Sequence, residues 1–465
     1  MNNNIILNVD SYKTSHYLQY PPGAEVISSY IESRGGAYPE TVFFGLQMFI
    51  KQFLSRPITA SNITDARTVI TAHGLPFNEE GWQYILNQHG GFLPIEIQAV
   101  PEGLRVPVNN VLVQVKNTDE RCPWLTSYLE TSLLRAIWYP TTVATRSFAC
   151  REIIRQSLLE TADSEDGLEF KLHDFGARGA SSAETAAIGG AAHLLNFSGT
   201  DTLAGVMALR EYYGAQMPGF SIPAAEHSTI TCWGEDNEAT AYANMIEQFS
   251  RPGSLFAVVS DSYDLFHAID KLWGTQLREQ VIHRGGTLVV RPDSGNPCDI
   301  VPQTIEALIA KFGSSVNRMG YRVLPDYLRV IQGDGVSPEM IKRILDELKS
   351  RHISAENVAF GMGGELLQNV NRDTLSFAMK ASAIRVNGTW KDVYKSPATD
   401  PSKRSKRGRL QLVQDRQHYF TQRETPQGES LLQTVYRNGR LVRQTTFDEI
   451  RARLHAEAAS KGEAA

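Results

Sequence analysis

The sequence predicts an α/β protein: an irregular (β/α) barrel-like domain joined to an α+β domain built from the N- and C-terminal segments. Three observations carry that expectation. From residue 146 to residue 389, a short apolar run, a loop bearing glycine or aspartate and a helical pattern follow one another many times, as in parallel strands joined by helices. Residues 1–145 lack this grammar and mix strand-like alternation with helical spacing, and residues 390–465 return to alternation. A chain of 465 residues exceeds one ordinary domain, so two are expected, 1–145 with 390–465 and 146–389. A doubly wound open sheet is the architectural alternative.

In order along the chain, Asp10 to Tyr17 is a polar and aromatic segment, followed by a Pro21-Pro22-Gly23 turn and a strand over Val26 to Ile31. Apolar spacing predicts helices over 41–55 and 62–74, alternation predicts strands over 93–100 and 106–115, and 125–139 reads as a largely buried helix. The βα series then begins. Phe170 to Asp174 reads as a strand, and Ser181 with Glu184 three residues on reads as a capping box that opens a helix. Further units follow at Asp201, at Glu226-His227, at 256–264, at 288–297, at 328–335 and at 358–364. Ser337-Pro338 is a helix start, an N-cap before a proline at the first helical position. Lys380 and residues 381–386 are expected to complete the barrel. Residues 410–445 should form strands that rejoin the first domain, and 456–465 a frayed tail.

Composition narrows the function classes. Hydrophobic residues make up 42% and charged residues 21%, as in globular enzymes. A net charge of −5 argues against nucleic acid or a membrane surface as the main partner, so an anionic ligand must meet local cationic clusters. Cys122, Cys150, Cys232 and Cys298 are widely spaced without a CxxC, which suits a reducing compartment and no zinc site. No apolar run reaches membrane-spanning length and the Met1-Asn-Asn-Asn start lacks a signal-peptide pattern, so a cytoplasmic protein is expected.

The chemistry collects in the loops that follow the apolar runs. At Leu288-Val-Val-Arg291-Pro-Asp293-Ser-Gly-Asn-Pro297, Arg291 offers a planar donor fork for phosphate and Asp293 a carboxylate for ribose hydroxyls or magnesium. Taken alone, the pair reads equally well as a structural turn. The other loops add Arg178, Asp201, Glu226, His227, Asp261, Asp334 and the glycines Gly333, Gly363 and Gly364. Parallel strands would bring all of these to one rim, where glycine turns present amides to anions. The constellation points to a phosphorylated sugar or a nucleotide. His227 reads as a phosphate ligand or a phosphoryl acceptor oriented by the adjacent Glu226. No second histidine stands at metal spacing, so no transition-metal site is expected. The basic run at 403–409 reads as a solvated loop or as a phosphate-neutralising arm.

Several blocks resemble the nicotinamide phosphoribosyltransferase family of type II phosphoribosyltransferases: Asp10-Ser-Tyr-Lys, Lys171-Leu-His-Asp-Phe-Gly-Ala-Arg-Gly, Gly199-Thr-Asp-Thr, Pro223-Ala-Ala-Glu-His-Ser-Thr, Arg291-Pro-Asp-Ser-Gly-Asn-Pro, Ile331-Gln-Gly-Asp-Gly and Pro401-Ser-Lys-Arg-Ser-Lys. The resemblance implies transfer of phosphoribosyl from phosphoribosyl pyrophosphate to nicotinamide, magnesium dependence, ATP coupling through a phosphohistidine and a homodimer with shared sites. It places Phe175 on one face of the pyridine ring, and Tyr12 with Asp10 on the other face from a partner chain. Asp201 would accept from the carboxamide. Arg178, Arg291, Gly333, Asp334, Gly363, Gly364 and Arg372 would hold ribose and phosphates, and His227 would be phosphorylated. Arg34, Lys380, Lys395 and Lys403 would be phosphate ligands at the interface, and the resemblance leaves the magnesium ligands unassigned. Three departures stand out, a short Gly35–Glu40 segment, Ala177 in place of a larger residue and Met362 in place of a small polar one. The alternatives are a nicotinate-specific enzyme of the same architecture, an unrelated sugar-phosphate barrel enzyme and a non-catalytic binding protein. Like-charge repulsion at Asp201 disfavours the nicotinate-specific enzyme.

Overall fold

The computed structural model describes residues 3–399, 404–416, 418–425 and 429–462. The chain divides into two compact units. The first comprises Met1–Thr145, Glu211–Ala215 and Asn371–Ala465, and the second Arg146–Arg210 and Gln216–Val370.

The first unit is built on a seven-stranded antiparallel sheet. Its N-terminal strands are β1 (Ala24–Ser33), β2 (Ile95–Ala99) and β3 (Val111–Asn117). In sheet order, 389–392, 377–386, β1, β3, β2, 433–437 and 440–441 lie side by side. β1 is central, which is why nearly all of its residues are buried although the segment carries Ser, Glu and Tyr. Ile31, Phe43, Ile50, Ile97, Val113, Leu133 and Phe377 form its core. Trp82 sits edge-on to Trp124 and Tyr128 at 4.8 and 5.1 Å.

Some expectations for this unit change. Phe377–Val386, read as the end of the barrel, pairs antiparallel with β1 from Ala24↔Val386 to Ser33↔Phe377. Its alternation suits a strand in either sheet, and only the available partner decides. The helix expected over 41–55 starts late, because 40–42 pairs with 105–107 and Gly45 turns the chain at a φ of 104°. The strand expected over 106–115 is interrupted at Asn109, whose φ is 66°. The C-terminal segment is helical over Phe447–Gly462 instead of frayed from 456.

The second unit is a parallel β/α ring. Its strands are β4 (Leu172–Asp174), β5 (Gly199–Thr200), β6 (Leu255–Val259), β7 (Thr287–Arg291), β8 (Leu328–Gln332) and β9 (Val358–Met362). They lie in the order β5-β4-β9-β8-β7-β6, all parallel. The extended segment 220–225 closes the gap between the two edge strands. Phe220 bridges Gly199 on β5, and Ala224 bridges Ala257 on β6. Pro223 cannot donate but its oxygen accepts the Ala257 N–H at 2.9 Å. The architecture is therefore an irregular barrel and not an open doubly wound sheet. Ile222, Ala257, Val289, Ile331 and Ala359 pack inside the ring together with Phe175. The helix start expected at Ser181 is one residue later: the Ser182 hydroxyl accepts the Thr185 N–H at 3.0 Å. Among the described residues no helix is long and apolar enough to cross a membrane.

Candidate active site

Strand C-termini in a parallel ring share one mouth, so loops far apart in sequence meet there. Phe175 follows β4 directly. Its ring fits the ring interior because β9 offers no side chain at Gly361, where a Cβ would come within 2.0 Å of the ring. A Cβ on Gly333, after β8, would come within 3.2 Å of Phe175 and 3.3 Å of Arg291. These two glycines are the close approach that lets an aromatic ring and a guanidinium share the floor.

Arg291 ends β7. Its Nε and Nη2 both donate to Asp293 Oδ1, at 2.9 and 2.7 Å, and its guanidinium carbon lies 5.9 Å from the Phe175 ring centre. Asp293 thus holds the fork while its Oδ2 points elsewhere, 3.9 Å from His227 Nδ1. Asp201 follows β5. It is exposed, and Ser221 donates to its Oδ1 at 2.5 Å, which fixes the rotamer. Gln332, at the end of β8, donates through its side chain to the Asp334 carbonyl at 2.7 Å and shapes the Gly333–Asp334 loop. Gly363 and Gly364 follow β9 and pack against the loop after β4, since a Cβ on Gly179 would come within 3.1 Å of Gly364. Arg178 is exposed in that same loop.

His227 opens a short helix, His227–Thr231. Its orienting carboxylate is Asp261 and not Glu226. Asp261 Oδ1 takes the Nε2 contact at 2.9 Å, while Glu226 bonds the Ser228 hydroxyl and caps the helix. Sequence adjacency pointed to Glu226, but neighbouring residues at a helix start diverge, and β6 delivers Asp261 through space. Asp261 also accepts the Ser294 N–H at 2.7 Å. Burial alone would raise its pKa, but the Ser294 donors and His227 outweigh that and hold it below the ordinary value. Asp261 is nearly buried at 5% side-chain exposure, whereas His227 is 47% exposed, so the imidazole is anchored from below and accessible from above.

The second unit thus brings together Phe175, Arg178, Asp201, His227, Arg291, Asp293, Gly333, Asp334, Gly363 and Gly364. The remaining predicted residues belong to the first unit. Asp10 Oδ2 accepts the Thr131 hydroxyl at 2.8 Å, and Tyr12 is 58% exposed. Lys380 is lowered in pKa by burial, with Lys395, Arg34 and Lys13 adding repulsion against the pull of Glu130, so the structure gathers these four cations. Arg372 donates to Asp373 on the surface. Lys403 lies outside the described residues. Sequence reasoning gave no role to Lys13, which is buried and paired with Glu130 at 2.7 Å, and it named Asp261 among the loop carboxylates without pairing it with His227. A lysine in a polar-aromatic segment carries no local sign that a glutamate 117 residues away will pair with it.

The family model for the nicotinate phosphoribosyltransferase family matches residues 170–440, and the model described as nicotinamide phosphoribosyltransferase, N-terminal domain, matches residues 4–97. A nicotinamide phosphoribosyltransferase of Xanthomonas campestris pv. campestris is 53% identical over 465 residues, covering 98% of each chain. One from Mycoplasma pneumoniae is 36% identical over 446 residues, covering 87% of this chain and 95% of the relative. Among solved structures, a nicotinate-nucleotide pyrophosphorylase from Pyrococcus furiosus shares the fold at a TM-score of 0.63 and 16% identity, covering 99% of this chain and 97% of that one. The human nicotinic acid phosphoribosyltransferase does so at 0.55 and 18%, covering 97% and 93%.

Proposed function

This chain belongs to the nicotinamide phosphoribosyltransferase family, and from that membership we propose that it transfers the phosphoribosyl group of phosphoribosyl pyrophosphate to nicotinamide, forming nicotinamide mononucleotide and pyrophosphate in NAD salvage. The observation that carries this reading is one barrel mouth holding an aromatic floor at Phe175, a fixed carboxylate at Asp201 and the Arg291–Asp293 fork.

The chemistry asks little of a base. The pyridine nitrogen already has an in-plane lone pair, so it forms the bond to ribose C1 while the bond from C1 to the pyrophosphate oxygen breaks. Positive charge grows on the sugar and negative charge on the leaving group. The protein's part is alignment and electrostatic stabilisation. Phe175 stacks on the base and Asp201 accepts from the carboxamide, which disfavours a carboxylate substrate by like-charge repulsion. Arg178, Arg291 and the amides at Gly333, Gly363 and Gly364 take phosphate and ribose, with Asp334 on a ribose hydroxyl.

Among the described residues no three His, Cys, Asp or Glu side chains gather as a metal cage. Magnesium carried mainly by substrate phosphates needs only one or two carboxylates. Asp293 fits, since the Arg291 fork occupies one of its oxygens. When bound, the ion would neutralise charge on the pyrophosphate.

The reading includes ATP stimulation through His227. With Nε2–H held by Asp261, Nδ1 keeps its lone pair and can attack the γ-phosphorus, forming an N–P bond as the bond to ADP breaks. It also includes a cytoplasmic homodimer, in which Asp10, Tyr12, Arg34, Lys380, Lys395 and Lys403 serve a site across the interface. The exposed ring of Tyr12 and the cation cluster support this part.

The test is incubation with phosphoribosyl pyrophosphate and either nicotinamide or nicotinate, reading mononucleotide by chromatography. Nicotinamide mononucleotide as the main product is expected, and nicotinate mononucleotide as the main product would overturn the reading.

A further inference from the structure

Asp174 ends β4 and is fully buried. It makes two ties. Its Oδ1 accepts the Gly176 N–H at 2.7 Å, closing the turn that carries Phe175. Its backbone oxygen accepts the Asp201 N–H at 2.9 Å. The side chain therefore holds the turn that carries Phe175, and the backbone oxygen beside it holds Asp201, the two groups that the proposed reading assigns to the base. The turn has no slack, since a Cβ on Gly176 would come within 2.6 Å of Leu367 and 2.8 Å of the Gly363 oxygen. The second oxygen, Oδ2, is buried, and a Cβ on Gly190 would stand 3.2 Å from it.

Asn or Ser would accept the same N–H with no charge to desolvate. Burial pushes the Asp174 carboxyl up to about 6 against the pull of the Gly176 N–H and the Thr202 hydroxyl, and the nearby Asp201 charge adds to the rise. The residue carries this desolvation at the one point in the ring where the strand ends in Phe175 and the neighbouring loop begins with Asp201.

We infer that Asp174 is a positioning residue for base recognition: its carboxylate on the Gly176 amide sets where the Phe175 ring stands relative to the Asp201 carboxylate, whose own amide is held by the Asp174 backbone oxygen. A planar carboxamide must meet a ring face and an edge acceptor together, and slippage of either one loses one of the two contacts. The inference rests on the nicotinamide reading and concerns chiefly the base, because the phosphate-holding loops after β7 and β8 hang on Asp293 and Gln332.

Steady-state KM for each substrate tests it in wild type, Asp174→Ala, Asp174→Cys and Asp174→Asn. Ala and Cys lose a good acceptor and should raise KM for nicotinamide roughly 10- to 100-fold. KM for phosphoribosyl pyrophosphate should shift several times less, because its contacts after β7 and β8 are not tied to Asp174. Asn should restore most of the nicotinamide KM, since its amide oxygen accepts the same N–H. Thermal melts identify any variant that fails to fold, and Cys, close to Asp in volume, keeps the test available if Ala does not fold. An unchanged nicotinamide KM, equal shifts in both KM values, or Asn no better than Cys would overturn the inference. A wild-type protein that makes no nicotinamide mononucleotide would overturn the functional reading instead.

Discussion

Two carboxylates, Asp261 at the barrel mouth and Glu102 inside the antiparallel unit, are held in nearly the same way and behave oppositely. Each is almost buried, and each accepts a backbone amide, from Ser294 at 2.7 Å and from Gln47 at 2.8 Å. Asp261 lies below its ordinary pKa, while burial pushes Glu102 up to about 7 against the Gln47 amide, the Tyr213 hydroxyl and the Gly45 and Leu46 amides. What differs is the company. Asp261 faces an imidazole that is open to the mouth, whereas Glu102 faces the start of a helix and a buried phenol. Amide capping alone thus makes a structural carboxylate. A titratable partner with access to ligand makes a chemical one.

Four single substitutions and one mixing experiment break or sharpen that contrast, taken from the largest expected effect to the smallest. Arg291→Ala removes the fork that Asp293 holds and should cut kcat/KM on the order of 100- to 1000-fold. A loss under about tenfold in a steady-state assay would remove Arg291 from the transition-state machinery. Mixing that chain with an inactive Tyr12→Ala chain should restore part of the activity if sites are shared, and verified heterodimers without recovery would count against sharing.

Asp201→Asn should lower kcat/KM for nicotinamide about 10- to 100-fold, the worth of one charge-assisted hydrogen bond, and relax the exclusion of nicotinate. Equal kcat/KM for both bases in mutant and wild type would sink the assignment. His227→Ala should abolish ATP hydrolysis and ATP stimulation while leaving measurable, reduced ATP-independent transfer. Persistent ATPase activity in that variant, with no acid-labile label on the wild type during turnover, would make His227 a simple phosphate ligand.

Glu102→Gln is the counterpart on the structural side and should leave kcat/KM unchanged. Its effect is on stability. The folded pKa of Glu102 lies above the unfolded one, so the folded state binds the proton more tightly. The stabilisation from protonation is complete below about pH 4.5 and disappears as pH rises to about 7. Denaturant melts across that window should show a wild-type decline on the order of 2–3 kcal/mol that the Gln variant lacks. A kinetic defect in Glu102→Gln would erase the distinction between the two carboxylates.

Much of this was legible locally. The recurrence of apolar run, glycine or aspartate loop and helix announced a parallel ring, because strand burial on both faces demands apolar runs and helices must cover them. The loop residues Arg178, Asp201, His227, Arg291, Asp293 and Gly333 could be gathered on one rim from that inference alone. Ser337-Pro338 opens its helix as read, with the Ser337 hydroxyl accepting the Met340 N–H at 3.1 Å. Local chemistry, namely caps, turns and alternation, needs no partner from elsewhere in the chain.

The sequence by itself therefore determined the fold class, the barrel series and the loop residues that the ring brings to one mouth. Tertiary structure alone decided three further matters. It sent 377–386 to β1 instead of to the ring, because a strand's alternation does not name its partner. It closed the ring with 220–225, a segment holding a proline and too irregular to read as a strand. It gave His227 to Asp261 over its neighbour Glu226 and set Asp174 beneath Phe175, because side-chain pairing depends on which strand ends meet in space, and that distance is written nowhere along the chain.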